Sequence, residues 1–362
     1  MTTMSRDVLI QITQLATVPF GEQRVIEWVS GWAESRPRIR LDRDRCGNLL
    51  LTLKGTRPDR RLVMVSHMDH PGFTATRMTG VQTLEARFNG GVQVQYFKGQ
   101  RVRFYAPDRE VVGTILDVKT DPSGRPIQTN LRVGENVPRG TIGMWDLGKP
   151  RIRKTRFLAG VCDDLAGVAA GLSVLDRLYN KRLQNPVCLL LTRAEEEGFI
   201  GAIEAASSPQ LLRSDDRIIS LECSAEQPYA RPGDGVIVRT GDRTSIFHSA
   251  LTRFLHQQAD RLLGSDPTFR FQRALMPGGT CEATVFDAWN YLSAALCIPL
   301  CNYHNMNPQT GKISPESIDL RDWVNMVKLL TEVAGHIGQF RADHGELRNR
   351  LLKRFKRFKR LL

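Results

Sequence analysis

Short apolar runs that stop on charged or metal-ligating side chains constrain this chain more than any other feature of its sequence. Residues 62–65 (LVMV) run into Ser66-His67-Met68-Asp69-His70, residues 187–191 (VCLLL) into Thr192-Arg193-Ala194-Glu195-Glu196-Glu197, and residues 218–221 (IISL) into Glu222. Each run reads as a buried strand, and helical spacing fills the intervals, with one helix from about Asp164 to Leu178 and another near residues 200–206. Strands separated by helices build a mainly parallel, doubly wound sheet, so the fold class is α/β. Ligands of such sheets collect beyond the carboxyl ends of the strands, and that is where these charged residues fall.

Two helices open the chain, because Leu9, Ile12 and Leu15, then Val25, Trp28, Val29 and Trp32, recur at helical spacing. Strands at 39–41 and 49–53 flank a Cys46-Gly47-Asn48 turn. From about Phe73 to Arg156 the pattern changes to short alternating segments such as VRFYA and VVGTILDV, divided by Gly, Pro and Asp. This predicts a small β domain at 73–156, inserted into a sheet domain made of residues 1–72 and 157–340. Three further helical stretches and strands around 269–273 and 292–298 complete that domain, and 341–362 form a tail.

The 41% apolar content of this 362-residue chain is that of a folded globular protein. No apolar run approaches the roughly 18 residues of a membrane span, and the N-terminus lacks a continuous apolar core of the secretory kind. The seven cysteines are odd in number and without CxxC spacing. Both features point to a cytoplasmic, reducing setting, in which a metal would be held by His, Asp and Glu. The net charge of +13 invites a nucleic-acid reading, but nine Lys or Arg against Asp343 and Glu346 place +7 of it after residue 340.

Five segments carry chemistry. In the first, His67 and Asp69 lie two apart at a strand end and share a face, so that an imidazole can ligate while a carboxylate orients it. The second, Gly160-Val161-Cys162-Asp163-Asp164-Leu165, sets two acids ahead of a helix, where a helix cap would serve as well. The third sets three acids at the end of a buried strand, a repulsion that a divalent cation or a shared proton relieves. The fourth is Glu222, and the fifth is Asn302-Tyr303-His304-Asn305 after a further strand. Singly each has an ordinary structural explanation; together they mark converging strand ends.

In order, HMDHPGF, CDDLAG, EEEGFIGA, LECSAE and NYHN resemble the co-catalytic metallopeptidases, specifically the glutamyl, deblocking and tetrahedral aminopeptidase family. The resemblance spans nearly the whole chain. It implies a phosphorylase/hydrolase-like peptidase core with an inserted small β-barrel, two divalent metal ions per subunit (zinc, with cobalt or manganese as replacements), peptide substrates and a homo-oligomer. Carried over residue by residue, it makes His67 a ligand of one ion, Asp163 the bridging carboxylate and Glu196 a ligand of one ion, with Glu222 and His304 completing the set. Glu195 becomes the general base and Asp69 the residue that orients His67.

The sequence departs from the family pattern at Glu222, where Asp is usual, and at His70, Leu165 and Cys281, where Glu, Arg and Asp are usual. The triple glutamate leaves the register open by one residue, and the downstream Gly201-Ala202 favours Glu195 and Glu196. Alternatives within this chemistry are hydrolysis of N-acyl amino acids or of a carboxy-terminal bond, and outside it a peptide-binding protein without turnover. Leu347, Leu351, Phe355, Phe358 and Leu362 recur at helical spacing among Lys and Arg, a basic amphipathic helix of the kind that meets membranes, RNA or another subunit.

Overall fold

A computed structural model describes residues 3–208, 210–342 and 345–361. At its centre is an eight-stranded sheet in the order Ile39–Arg43, Leu49–Leu53, Val187–Thr192, Leu62–His67, Arg217–Ala225, Leu292–Leu300, Val236–Gly241 and Phe271–Leu275. The four middle strands, from Val187–Thr192 to Leu292–Leu300, run parallel. Val236–Gly241 and Phe271–Leu275 also pair parallel, so the sheet is mainly parallel with antiparallel members. Ile39–Arg43 and Leu49–Leu53 form an antiparallel hairpin, and antiparallel pairs also join Leu49–Leu53 to Val187–Thr192 and Val236–Gly241 to Leu292–Leu300. The hairpin has a local cause: residues 44–48 are too few for a parallel crossover, and Asp44 Oδ1 closes the turn by accepting from the Cys46 and Asn48 N–H groups at 3.0 and 2.9 Å.

The apolar strands are buried on both faces because helices cover both. Alternate residues point to opposite sides. Leu49, Leu51, Leu62, Met64, Leu189 and Leu191 pack with the helices Thr3–Ile12, Gln23–Glu34, Leu165–Leu178, Ser249–Ser265 and Leu320–His336. Leu50, Val63, Val65, Cys188 and Leu190 pack with the shorter helices Ile200–Ser207 and Glu282–Ala288.

Between Leu62–His67 and the helix Leu165–Leu178 the chain forms a closed six-stranded barrel, in the order Gly72–Gly80, Thr83–Asn89, Pro126–Val133, Glu110–Thr120, Arg101–Tyr105 and Ile142–Trp145. Phe73, Phe88, Phe97 and Trp145 fill it, with Phe73 edge-on to Trp145 at 4.8 Å and Phe88 edge-on to Phe97 at the same distance. Arg156–Ala159 pairs with Arg151–Arg153 on one side and with Glu316–Asp319 on the other, outside the barrel. The chain is thus tied to the sheet domain just before it reaches Asp163. The tail contains a helix, Gly345–Phe358, and a 3-10 turn, Lys359–Leu361. Among the described residues no helix is long and apolar enough to cross a membrane.

Candidate active site

The parallel strands end on one side of the sheet, and their ends supply the site. His67 closes Leu62–His67 in register with Thr192 of the neighbouring strand, Glu222 lies in Arg217–Ala225 opposite Cys297, and Tyr303-His304 follow Leu292–Leu300. His67, Asp163, Glu195, Glu196, Glu222 and Tyr303 line a pocket of about 560 Å³.

Each histidine is held in one tautomer by a backbone carbonyl. His67 Nδ1–H donates to Asp69 O at 3.1 Å and His304 Nδ1–H donates to Gly91 O at 2.7 Å. Their Nε2 atoms therefore face the carboxylates. His67 Nε2 lies 3.6 Å from Asp163 Oδ1, while His304 Nε2 lies 3.7 Å from Asp163 Oδ2 and 3.0 Å from Glu196 Oε1. Three sets of donor atoms come within 4.8 Å of one another: His67, Asp163 and Glu222; Asp163, Glu196 and His304; and His67, Glu195 and Glu196. The first two share Asp163. Asp163 Oδ1 is buried without a hydrogen-bond partner, and these imidazole and carboxylate donors suit a cation such as zinc.

The electrostatics of the cluster call for positive charge. Burial pushes the Glu222 carboxyl up to about 8, with Asp163 and Glu282 adding to the shift. Enclosure in the pocket likewise raises Glu195 well above the usual carboxylate range, reinforced by Glu196 and Glu222. Burial opposes charge on His304, but Glu196 and Asp163 outweigh it and raise the imidazole to about 9. His67 is raised in the same way by Glu195, Asp163 and Asp69. Repelled carboxylates that hold protons, beside imidazoles that gain them, are what a bound divalent cation replaces.

The three consecutive glutamates separate by role. The turn Glu195–Glu197 is bracketed by left-handed residues, Ala194 at φ 51° and Phe199 at φ 64°, a conformation that costs on the order of 1–3 kcal/mol per residue and needs external support. Two buried acids supply that support. Asp69 accepts from the Glu195 N–H through Oδ1 at 3.0 Å and from the Glu196 N–H through Oδ2 at 3.1 Å. Glu22 accepts from the Phe20 and Ala194 N–H groups, each at 3.0 Å, and binds the Arg193 guanidinium through its other oxygen at 2.7 and 2.9 Å. Glu195 and Glu196 face the histidines, whereas Glu197 turns to the barrel, accepting from the Gly90 N–H at 2.8 Å and pairing with Arg125 at 2.7 Å.

The Asp69 carboxylate grips the glutamate turn, and its backbone carbonyl is what holds His67; the carboxylate itself is 3.6 Å from His67 Nδ1. Asp164, at the start of the helix Leu165–Leu178, makes no side-chain cap bond and instead accepts from the Ser66 hydroxyl. Its carboxyl presses on Gly167, where a Cβ would come within 2.4 Å of it. Of the departures, His70 is buried and donates from Nδ1 to Asp163 O at 2.6 Å, with Nε2 3.0 Å from Asn305 Oδ1; Leu165 lies in the core, and Cys281 lines the pocket.

Sequence reasoning missed Glu316. Fully buried, it accepts from the Cys162 and Asp163 N–H groups through Oε2 at 2.7 and 3.0 Å and from the His304 N–H through Oε1 at 2.9 Å, joining two of the five ligand candidates. It also missed Arg239, a buried guanidinium on the pocket wall whose Nη1 donates to Ser224 Oγ at 3.2 Å and whose Nε has no partner. Neither stands in a motif, because both act on residues distant in sequence.

The comparisons with known proteins agree with this geometry. A curated Acetivibrio thermocellus protein, named as a candidate aminopeptidase, is 24% identical over 90% of this chain and 97% of its own length. Among solved structures, a TET aminopeptidase of a marine-sediment Thaumarchaeota archaeon matches with a TM-score of 0.79 at 19% identity, covering 93% of this chain and all of its own. An aminopeptidase of Desulfurococcus kamchatkensis matches at 0.77 with 22% identity, over 93% of this chain and 98% of its own. A TET peptidase of Pyrococcus horikoshii, described as assembling into a tetrahedron or a large octahedral shell, matches at 0.74 with 21% identity, over 91% of this chain and 99% of its own. The profile of the M42 glutamyl aminopeptidase family matches residues 132–329, more than half of the chain, from the barrel through all the site segments after it. The chain therefore belongs to the M42 glutamyl aminopeptidase family and is a metallo-aminopeptidase.

Proposed function

We propose that this protein releases N-terminal residues from peptides by hydrolysis at two divalent ions, zinc in the first place and cobalt or manganese as replacements. His67, Asp163 and Glu222 would hold one ion, Glu196 and His304 the other, with Asp163 shared. The observation that carries the reading is the Asp163 carboxylate, whose two oxygens face different histidine Nε2 atoms, at 3.6 and 3.7 Å. When bound, the ions polarise the scissile carbonyl and acidify the attacking water. Glu195 takes the proton of that water and returns it to the leaving amine, a role supported by a carboxyl that enclosure in the pocket raises well above its usual range. Asp69 holds the glutamate turn by its amides and acts as a positioning residue.

The first residue of the substrate is proposed to be acidic. Arg239 supports this, since it is a buried cation with an unused N–H on the pocket wall, beside Ser224 and Cys281. The assembly is proposed to be a homo-oligomer, as the TET relative's description says of that protein, and the setting cytoplasmic, in keeping with seven free cysteines.

The test is metal content per chain together with turnover of a panel of aminoacyl, N-acyl and carboxy-terminal substrates. Two ions per chain and turnover confined to free N-termini are expected. Glu195→Gln is expected to lower kcat by about 10²–10⁴ while both ions stay bound. Retained turnover in that variant removes Glu195 as the base, and turnover of N-acyl substrates alone moves the reading to an amidohydrolase. Arg239→Met is expected to cut the preference for Glu over Leu at the first position by about tenfold or more; an unchanged ratio discards the acidic pocket.

A further inference from the structure

The tail is not absorbed by the chemistry above. Every residue from Arg348 to Leu361 is exposed, including Leu351 at 57%, Phe355 at 54% and Leu361 at 76%. On the helix Gly345–Phe358, Leu347, Leu351, Phe355 and Phe358 fall on one side at spacings of four, four and three residues. Around that stripe stand Arg348, Arg350, Lys353, Arg354, Lys356, Arg357, Lys359 and Arg360, and residues 347–361 contain no acid. By contrast, Ser249–Ser265 and Leu320–His336 bury their apolar stripes in the core.

We propose that the tail is a membrane-surface helix that lies in the headgroup layer of anionic phospholipid, with Leu351, Phe355 and Phe358 among the acyl chains and the Lys and Arg rows at the phosphates. Charge complementarity selects this occupant. The rest of the chain is itself net positive, since the tail carries +7 of the total +13, so in net charge neither the chain's own body nor a second tail complements it. Nucleic acid would satisfy the cations but leave the two phenylalanines and the leucines in water. An anionic bilayer surface satisfies both sides at once, and its attraction grows with each added cation. The helix is too short and too charged to cross the bilayer, so contact at the surface suffices.

The experiment is co-sedimentation of the full-length protein with vesicles of phosphatidylcholine alone and of equal parts phosphatidylcholine and phosphatidylserine. At least about tenfold more protein is expected on the mixed vesicles, falling with added salt. The variant Leu351→Ser/Phe355→Ser/Phe358→Ser is expected to lose that binding with all its charges in place. Its aminopeptidase turnover is expected to be unchanged, which also reports that it is folded. Equal sedimentation with both vesicles, none with either, or binding that survives the serine variant overturns the proposal. So does a native mass that falls in the serine variant while vesicle binding is absent, which assigns the stripe to a second copy, or tighter retention on single-stranded RNA than on mixed vesicles.

Discussion

Two acids without a chemical step to perform decide the geometry of the site. Asp69→Asn keeps the volume but turns an amino group toward one of the two glutamate N–H groups, so donor meets donor. Metal affinity and kcat are each expected to fall about 10–100-fold, read by calorimetric metal titration and by turnover at saturating metal. Glu316→Gln removes one of three accepted N–H bonds in the same way. Because those bonds end at the backbones of Asp163 and His304, weaker metal binding is expected before any change in KM. Unaltered metal affinity in Glu316→Gln sinks that positioning role. The general lesson is that a carboxylate accepting backbone N–H groups shapes a ligand set as firmly as the ligands do.

At the scale of elements, the site depends on turns that admit no extra atom. Gly201 opens the helix Ile200–Ser207 directly against the strand end, where a Cβ would lie 2.4 Å from Arg193 N and 2.5 Å from Asn48 Oδ1. Gly201→Ala must shift backbone, since Asn48 Oδ1 accepts from the Arg193 N–H at 3.1 Å. The expected cost is about 1–3 kcal/mol, measured as a lower denaturation midpoint, with kcat reduced because the displaced segment carries Glu195 and Glu196. The barrel meets this turn through the Gly90 N–H and the Arg125 guanidinium, both on Glu197, and meets His304 through the Gly91 carbonyl. It is thus part of the site's support, and the loop between its strands fixes the tautomer of a ligand candidate.

For the whole molecule, the clustered charges couple stability to pH and metal. Glu222 is raised by burial from 4.5 to about 8, so its folded form holds a proton that the unfolded chain releases earlier; the stabilisation is full below 4.5 and is lost as pH rises through 8. His304, where Glu196 and Asp163 outweigh burial, is raised from 6.5 to about 9, so its contribution is full below 6.5 and lost as pH rises through 9. The metal-free protein is therefore expected to melt at progressively lower temperature between about pH 5 and 9, while the zinc-loaded protein, whose ion replaces those protons, holds its melting temperature. Parallel curves with and without zinc would contradict a metal site at these residues. A native mass several times the 40.8 kDa of one chain, by light scattering, is the expected sign of assembly.

Much of this is legible in the amino-acid sequence. The apolar runs at 62–65 and 187–191 and the polar residues that end them are local patterns, and local patterns place strands, their ends and hence the region where a site collects. That a β domain lies between Leu62–His67 and the helix Leu165–Leu178 was legible as a change of period and turn content for the same reason, whereas its closure into a barrel was only what the family resemblance implied. What sequence left open was settled by bonds between residues far apart. Glu197 leaves the glutamate cluster because Gly90 and Arg125 capture it, Asp69 binds amides 126 and 127 positions away, and Glu316 binds amides 153 and 154 positions away. No window of sequence contains such partners. Residue order alone determined most strands of the central sheet, though not Val236–Gly241, and the inventory of ligating side chains, because these rest on neighbours. Only the tertiary structure decided which oxygen faces which nitrogen, because that depends on where separate strand ends come to lie.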